Sequence, residues 1–290
     1  MGRKDGYRLK DQSPFYEMIP NIMPERSDAT NLFEQDVDFD AMQNYVNECR
    51  QKGINMLHMS IVIAALARTC ARNPEINRFV INKKIYARNH ICACFVSLNG
   101  DKSDETVNKV YFNLDDDIFE INQKVIAAVE NARSMEEDNS MDRILRKVMK
   151  LGGLVSAGVS VIKWFDKHFG LPFSVVDASP FHASFFVTNL ASLRFGPIYH
   201  HIYNFGTVGM FVAMGTPEKK LYKAGGEIKE KKIQTIKMSV DERNASGYEY
   251  AKCFKEIHSY LKDPKKLEEK PTDAVFDPYI KKKNPKFIVK

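Results

Sequence analysis

A polar segment, Asp-Glu-Arg-Asn-Ala-Ser-Gly at 241–247, separates two strongly patterned stretches near the end of the chain. Residues 233–240 carry apolar side chains mostly at every second position, which is typical of a β-strand. Residues 248–261 place apolar side chains three and four positions apart, which indicates an amphipathic helix. The segment between them is therefore a corner at which a strand turns into a helix, and we expect its side chains to be presented rather than buried.

Strand and helix patterns alternate along the rest of the chain and predict an α/β fold. The stretch 59–71 is apolar on most sides, so it is predicted to be a central buried helix. Pro74 ends this helix, because the residue before a proline is disfavoured in the helical conformation. The other predicted helices are 41–51, 118–132 and 248–261; the predicted strands are 31–38, 91–98, 109–114, 184–190, 198–203, 209–214 and 233–240, with a hairpin at 79–87.

Length and composition exclude several classes of protein. The chain has 290 residues, 44% of them hydrophobic, and can bury a substantial core. It contains no run of about eighteen apolar residues, so no transmembrane helix is expected. Its polar first residues contain no apolar signal region, which makes the cytoplasm the default expectation. A net charge of +6 suits a phosphate-bearing ligand but not a nucleic-acid partner.

The five cysteines are at positions 49, 70, 92, 94 and 253 and show no disulfide spacing. Cys92 and Cys94 share one face of a predicted strand, but no second pair of cysteines or histidines completes a zinc site. We therefore expect reduced, structural thiols and no metal.

Three parts of the chain differ from the central α/β pattern. Residues 1–30 are polar, contain three prolines and are predicted to be an arm that lies over a domain or a neighbouring subunit. Residues 263–290 form a lysine-rich tail, either loose or ordered on docking. Residues 141–170 are predicted to be a pair of helices hinged at Gly152 and Gly153.

The segment 141–170 admits three interpretations. It can be two further core helices, a lid over a substrate channel, or a contact with a membrane surface. The last rests on the lysines that accompany its apolar residues, Lys147, Lys150, Lys163 and Lys167.

Three stretches together resemble the superfamily of chloramphenicol acetyltransferase and the dihydrolipoamide acyltransferases of the 2-oxoacid dehydrogenase complexes. The first is the apolar helix followed by Pro-Glu-Ile-Asn at 74–77. The second is Phe-Val-Thr-Asn-Leu at 186–190 with its downstream strand at 212–215, and the third is the corner at 241–247. The resemblance extends over about residues 32–262.

The resemblance implies one acyltransferase-like domain at 31–262, with 141–170 as a helical insertion. The implied fold is a two-layer α/β sandwich, in which helices cover a mixed, mostly antiparallel sheet. Members of the superfamily form trimers, and each active site lies in a channel between two subunits. The implied reaction transfers an acyl group from acyl-coenzyme A to a small hydroxyl or amine acceptor.

At the corner, the superfamily pattern is Asp-His-Arg-x-x-Asp-Gly, in which the histidine is the general base. Asp241, Arg243 and Gly247 match this pattern, so the resemblance assigns them a structural role in the turn. Glu242 occupies the position of the histidine, and Ser246 that of the second aspartate. A glutamate ordinarily titrates near 4.3, so Glu242 can act as a base only if a desolvated channel raises its pKa.

Three further residues are candidates for the chemistry. Thr188 occupies the position of the hydroxyl residue that stabilises the oxyanion in the superfamily. His200 and His201 are the other candidate bases, because histidine titrates near neutral pH. His182 is six residues from Thr188, about 20 Å along a strand, and is not expected to contribute.

Three functions therefore remain open. The chain is an acyltransferase, or a homologue that lost the reaction and acts as a ligand-binding or regulatory trimer, or a peripheral membrane protein that uses 141–170.

Overall fold

The computed structural model describes residues 3–98, 105–134, 149–150 and 152–289. Its strands are β1 (Gly6–Arg8), β2 (Thr30–Asp38), β3 (Arg78–Ile81), β4 (Lys84–Arg88), β5 (Ile91–Leu98), β6 (Glu105–Phe112), β7 (Phe185–Asn189), β8 (Met210–Met214), β9 (Glu218–Ala224) and β10 (Glu227–Asp241). Its α-helices are α1 (Pro14–Ile22), α2 (Phe39–Gln51), α3 (His58–Arg72), α4 (Ile118–Ser134), α5 (Val155–His168), α6 (Phe173–Ala178) and α7 (Gly247–Lys262).

The main sheet has seven strands in the order β2-β10-β8-β7-β5-β6, and β9 pairs with the first half of β10. Strand β7 is parallel to both of its neighbours, β5 and β8. All other recorded strand pairs of this sheet are antiparallel. The sheet is therefore mixed and mostly antiparallel, as the sequence predicts.

Helices α2, α3, α4 and α7 cover one face of this sheet and form the main core with it. Residues 60–71 of α3 are all buried, which explains why the sequence of this helix is apolar on most sides. Alternate strand residues, such as Val187, Val212 and Met238, point into this core. The result is the two-layer sandwich that the resemblance implies.

The opposite face of the main sheet, called the second face here, carries Phe186, Thr188 and Phe211. Phe186 and Phe211 belong to a smaller apolar cluster that also contains Cys92 and Cys94. All five cysteines are buried and free, as predicted.

Both ends of the chain pack on the domain. Strand β1 pairs with β4, which gives a second sheet in the order β1-β4-β3. In the C-terminal segment, the buried Asp277 accepts from Arg78 at 2.6 Å, and the backbone of Ile288 donates to Asn89 at 2.7 Å. The C-terminal tail, which the sequence predicts to be either loose or ordered on docking, is therefore ordered along its described length.

Several predicted strands differ from the structure, and β10 begins at Glu227 instead of at 233. Residues 198–203 form no strand but an irregular segment, and β9 is a strand that the sequence pattern does not predict. Strand β6 ends at Phe112 instead of running from 109 to 114. The first half of the predicted helical pair at 141–170, residues 141–148, lies outside the described residues.

The second half of that pair is a surface helix, which excludes the core interpretation for α5. Asp166 is the only residue of α5 that is buried, while Trp164 is 50% exposed and Phe165 is 48% exposed. No helix in the described ranges combines the length and the apolar character needed to cross a membrane.

Candidate functional site

The corner begins at Asp241, the last residue of β10, whose carboxylate is held by Arg243. The guanidinium donates from Nε to Oδ1 at 2.8 Å and from Nη2 to Oδ2 at 2.7 Å. Its Nη1 donates to the carbonyl oxygens of Met23 and Pro24, both at 3.1 Å. A bidentate pair of this kind fixes the geometry of both side chains. The corner is therefore tied internally and to the segment after α1.

Ser246 caps α7. Its hydroxyl accepts from the backbone N–H of Glu249 at 3.2 Å, and the Glu249 carboxylate accepts from the backbone N–H of Ser246 at 2.5 Å. This reciprocal arrangement is a capping box, which satisfies two donors at the helix start. Serine therefore has a local role at the position where the superfamily has aspartate.

The expectation that the side chains of the corner are presented is wrong for most of them. Asp241, Arg243 and Asn244 are buried, so most of the segment is not presented to a site. Gly247 has no positive φ, and a Cβ there would meet no atom within 4 Å, so the turn does not depend on a glycine.

Glu242 is half-buried, as is Ser246. Its Oε2 accepts from the amide Nδ2 of Asn31 at 2.5 Å, and its backbone N–H donates to Ala29 at 2.9 Å. Its carboxylate partner is thus a neutral amide and not a lysine or arginine. Glu242 also lines an apolar cavity of about 340 Å³ against Phe15 and Ile19 of α1.

Thr188 lies on the second face. It pairs with Ala213 on β8, which pairs in turn with Lys237 on β10. No other described residue is recorded as a hydrogen-bond partner of its hydroxyl.

Within one chain, Glu242 and Thr188 are far apart. Val240 pairs with Met210, whereas Thr188 pairs with Ala213, so Glu242 is five positions from Thr188 along the strand direction. This separation is roughly 17 Å along the strands, and the two residues are also two strands, about 10 Å, apart across the sheet. One chain therefore does not bring these two candidates into a single site.

His200 lies on the same face as Thr188. Its ring stacks on Phe211 with 3.8 Å between centroids, and Phe211 stacks on Phe186 at 4.8 Å. Thr188 is two residues beyond Phe186 on β7, so the two residues are about 7 Å apart along the strand. His200 stacks on Phe211, which pairs with Phe186, so it lies one such step from Thr188 along the strand direction. The structure thus brings His200 and Thr188 to adjoining parts of one face.

The proton on the His200 ring can be assigned from its partner. Nδ1 lies 2.8 Å from the carbonyl oxygen of His201, which can only accept, so Nδ1 is the donor and Nε2 is the acceptor of the neutral ring. Burial lowers the pKa of His200 below 6.5, and this effect exceeds the opposing contribution of the carbonyl. The neutral form therefore predominates at pH 7, with a basic nitrogen that the backbone does not occupy.

His201 has a different position. Its ring stacks on His200 at 4.6 Å between centroids and is exposed to solvent. Its contribution to the arrangement is the carbonyl oxygen that orients His200.

The irregular segment around these histidines is fixed on the second face by specific contacts. The Tyr199 hydroxyl donates to Glu34 at 3.2 Å, and the Lys237 ammonium lies 4.6 Å from the centre of the Tyr199 ring. A Cβ on Gly215 would lie 2.2 Å from Pro197, so the backbone approaches β8 too closely for any other residue.

His182 has polar partners that the sequence does not reveal. The buried ring donates from Nε2 to Asp166 at 3.2 Å and accepts from the hydroxyl of Ser179 at 2.8 Å. Arg3 also contacts Asp166 at 2.8 Å. No local pattern could reveal this network, because Arg3 is 163 residues from Asp166. It attaches α5 to the rest of the chain, through Asp166.

Sequence comparisons identify no relatives: no protein-family model matches the chain, and no curated protein sequence matches it. Solved structures do match. A probable dihydrolipoamide acetyltransferase from Listeria monocytogenes superposes with a TM-score of 0.57 at 14% identity, over 92% of this chain and 99% of that chain. The cubic core of the pyruvate dehydrogenase multienzyme complex gives a TM-score of 0.55 at 13% identity, over 89% and 93%.

Chloramphenicol acetyltransferase matches with a TM-score of 0.51 at 10% identity, over 88% of this chain and 99% of that chain. Identities this low establish the fold alone. The chain has the chloramphenicol acetyltransferase-like acyltransferase fold, as the three sequence stretches predict.

Proposed function

We propose that the protein transfers an acyl group from acyl-coenzyme A to a small hydroxyl or amine acceptor, with His200 as the general base. The observation that carries this proposal is the orientation of His200. Its Nδ1 donates to the His201 carbonyl at 2.8 Å, which leaves Nε2 as the proton acceptor of the neutral ring, and the ring stacks on Phe211 of the face that carries Thr188.

In the proposed reaction, the acceptor oxygen or nitrogen attacks the thioester carbon while Nε2 of His200 takes the acceptor's proton. The carbonyl oxygen becomes an oxyanion, which the Thr188 hydroxyl stabilises by donating a hydrogen bond. The carbon–sulfur bond then breaks, and the imidazolium returns its proton to the departing thiolate. Atoms and charges balance without a metal or an oxidant.

The spacing on the second face supports this assignment. A reacting carbon needs about 3 Å to the attacking group and to the oxyanion donor on its two sides. Phe186 and Thr188 are about 7 Å apart along β7, so a thioester bound over this part of the second face can approach both the Thr188 hydroxyl and the His200 ring stacked on Phe211. Within one chain, Glu242 is roughly 17 Å from Thr188 along the strands and does not adjoin it.

We further propose that the protein is a homotrimer and that the reaction takes place between subunits. Exposed apolar side chains around the second face support burial against another chain: Leu32 is 54%, Leu193 57% and Phe195 58% exposed. Three chains of 33.2 kDa give a mass of about 100 kDa. A monomeric mass by light scattering at micromolar concentration would contradict the trimer.

The five free, buried thiols support a reducing compartment, and we propose the cytoplasm. A membrane contact through 141–170 remains a less favoured proposal, and liposome flotation of the purified protein tests it.

A screen of acyl-coenzyme A compounds against hydroxyl and amine acceptors, with release of free coenzyme A as the readout, tests the proposed reaction. Thermal shift with coenzyme A tests binding separately, because a ligand that binds only the folded state raises the midpoint of unfolding. Transfer to at least one acceptor supports the proposal; absence of both transfer and thermal shift contradicts it.

A second candidate function is a ligand-binding or regulatory trimer that has lost the reaction. The observation that favours it is the hydrogen bond from Asn31 to Glu242 at 2.5 Å, which occupies the residue at the position of the superfamily base. This candidate predicts a thermal shift with acyl-coenzyme A and no transfer to any acceptor in the screen.

A further inference from the structure

A second cavity of about 520 Å³ lies where the two ends of the chain meet, away from His200 and Thr188. Its walls come from β1, from Lys84 and Tyr86 on β4, from the end of α5 and from residues 280–282. We call it the basic cavity, because Arg3 and six further cationic residues line it: Arg8, Lys10, Lys84, Lys167, Lys281 and Lys282.

The lining is strongly unbalanced in charge. It contains seven lysine or arginine residues and one carboxylate, Asp166. That carboxylate is already engaged by Arg3 at 2.8 Å and by His182 at 3.2 Å. The net charge of the lining, seven minus one, equals the +6 of the whole chain. The remaining charges of the chain therefore sum to zero.

Most of these cations lack an anionic partner. Arg3 is committed to Asp5 and Asp166, and Lys281 lies 3.3 Å from Asp11 at an exposed position. Among the described residues, no carboxylate is recorded within ion-pair distance of Arg8, Lys84, Lys167 or Lys282. Like charges gathered in one concavity repel each other, and a multivalent anion would relieve that repulsion.

The cavity is also held in shape by the protein. The Tyr7 hydroxyl donates to the carbonyl oxygen of Lys286 at 2.8 Å and accepts from its backbone N–H at 2.9 Å. This double contact fixes the C-terminal segment beside β1. The Lys282 ammonium rests 4.9 Å from the centre of the Tyr7 ring, so its position is set as well. Preorganised cations lose less entropy when a ligand binds.

We propose that the basic cavity binds a small ligand with several adjacent phosphate groups. Its volume suits a small ligand, and its free cations come from four separate segments that surround it. The shared chemistry is a chain of phosphates, supplied either by an inorganic polyphosphate or by a nucleoside polyphosphate. Phe169 lines the cavity and is 56% exposed, so its ring is available to stack on a base in the second case. The proposal does not depend on acyl transfer.

Isothermal titration with tripolyphosphate and with ATP tests the proposal, because neither compound carries an acyl group or a thiol. We expect saturable one-site binding of tripolyphosphate that is much tighter than that of monophosphate and weakens as salt is raised. If a nucleotide is the natural ligand, ATP binds more tightly than tripolyphosphate, and Phe169→Ala removes the difference. Equal affinities of the two compounds identify the phosphate chain alone as the ligand. No saturable binding of either compound contradicts the proposal.

The double variant Lys84→Glu, Lys282→Glu removes two of the free cations. The matched control is Lys223→Glu, Lys229→Glu on the exposed β9–β10 hairpin, which changes the net charge by the same amount. We expect the first variant to weaken tripolyphosphate binding by at least about tenfold for each reversed charge, and the control to leave it nearly unchanged.

Equal weakening by both double variants would show that net charge alone attracts the anion, and would overturn the proposal. So would tighter binding of a DNA duplex than of tripolyphosphate, because a duplex cannot enter the cavity. The variant Lys84→Met, Lys282→Met retains the aliphatic stems and repeats the test without introducing new repulsion.

Discussion

The Nδ1 atom of His200 lies 2.8 Å from the carbonyl oxygen of His201, the residue that follows it in the chain. This contact determines which ring nitrogen can accept a proton, because a carbonyl oxygen cannot donate. The ring is held from the other side by stacking on Phe211 at 3.8 Å between centroids. Backbone and core thus fix the direction of Nε2 before any substrate arrives.

The first prediction concerns the pH dependence of transfer. Burial lowers the pKa of His200 below 6.5, and only the neutral ring can accept a proton. The rate should therefore be constant at pH values above 6.5 and fall as the pH decreases through the lowered pKa. A pH profile of kcat/KM with a fixed acyl donor checks this. An inflection above pH 6.5, with further gain toward alkaline pH, would point to another base.

The second prediction concerns Glu242. Glu242→Gln preserves the shape of the side chain and its contact with Asn31. Since Glu242 is not the base in this mechanism, kcat should change by less than about threefold, far less than the loss expected for a positioned base. Turnover of the purified variant, with its oligomeric state as a control, is the measurement. A loss of two orders of magnitude would return the role of base to Glu242 and require a neighbouring subunit to supply Thr188.

The third prediction concerns the buried pair at the corner. Arg243→Met leaves the Asp241 carboxylate with one recorded cationic partner, the more distant Arg26 at 3.5 Å, and with the backbone N–H of residue 243 at 3.2 Å. Breaking a buried ion pair from one side costs about 3–5 kcal/mol of the free energy of unfolding. Urea denaturation checks this, with Lys219→Met as the control, because the Lys219–Glu230 pair is exposed and should contribute little. A loss no greater than that of the control would mean that the corner is not stabilised by this pair.

The fourth prediction concerns the stability of the protein in mild acid. Burial lowers the pKa of His182 below 6.5, although the hydrogen bond to Asp166 opposes the shift. As the pH falls below 6.5, the unfolded chain binds a proton at this histidine and the folded chain does not. The free energy of unfolding should then decrease by up to about 1.4 kcal/mol per pH unit until the folded pKa is reached.

His182→Gln removes this titration and keeps a donor toward Asp166. The slope of stability against pH between about 6.5 and 5 should become smaller in the variant. It should not reach zero, because burial also lowers the pKa of His90. His168→Gln, at an exposed position on α5, is the control. An unchanged slope in His182→Gln would show that this histidine titrates alike in the folded and unfolded chains.

The sequence was sufficient to predict those elements whose residue pattern is local. The all-round apolar helix α3, the strand β5 at Ile91–Leu98 and the corner before α7 follow from periodicity and from helix capping. The fold could be predicted because three such stretches occur in the same order and at similar spacing as in the superfamily. The role of Ser246 could also have been inferred, since Ser-x-x-Glu at 246–249 is a capping box.

The candidate site was less accessible from the sequence. His200 is a candidate from the sequence, but the sequence predicts a strand at 198–203, whereas contacts with β8 and β10 hold this segment in an irregular path. The pairing of His182 with Asp166 and of Arg78 with Asp277 joins residues that are distant in the chain. Periodicity contains no information about such contacts, so these partners required the structure.

The central claim is that the Nε2 nitrogen of His200 removes the acceptor's proton. The most direct test is the turnover of His200→Ala beside His201→Ala, with release of free coenzyme A measured at pH 7.5. We expect His200→Ala to lose about two to four orders of magnitude in kcat. His201→Ala should retain most activity, because the backbone carbonyl that orients His200 is unchanged. Wild-type activity in His200→Ala, at the same oligomeric state and acyl-coenzyme A affinity, would contradict the mechanism.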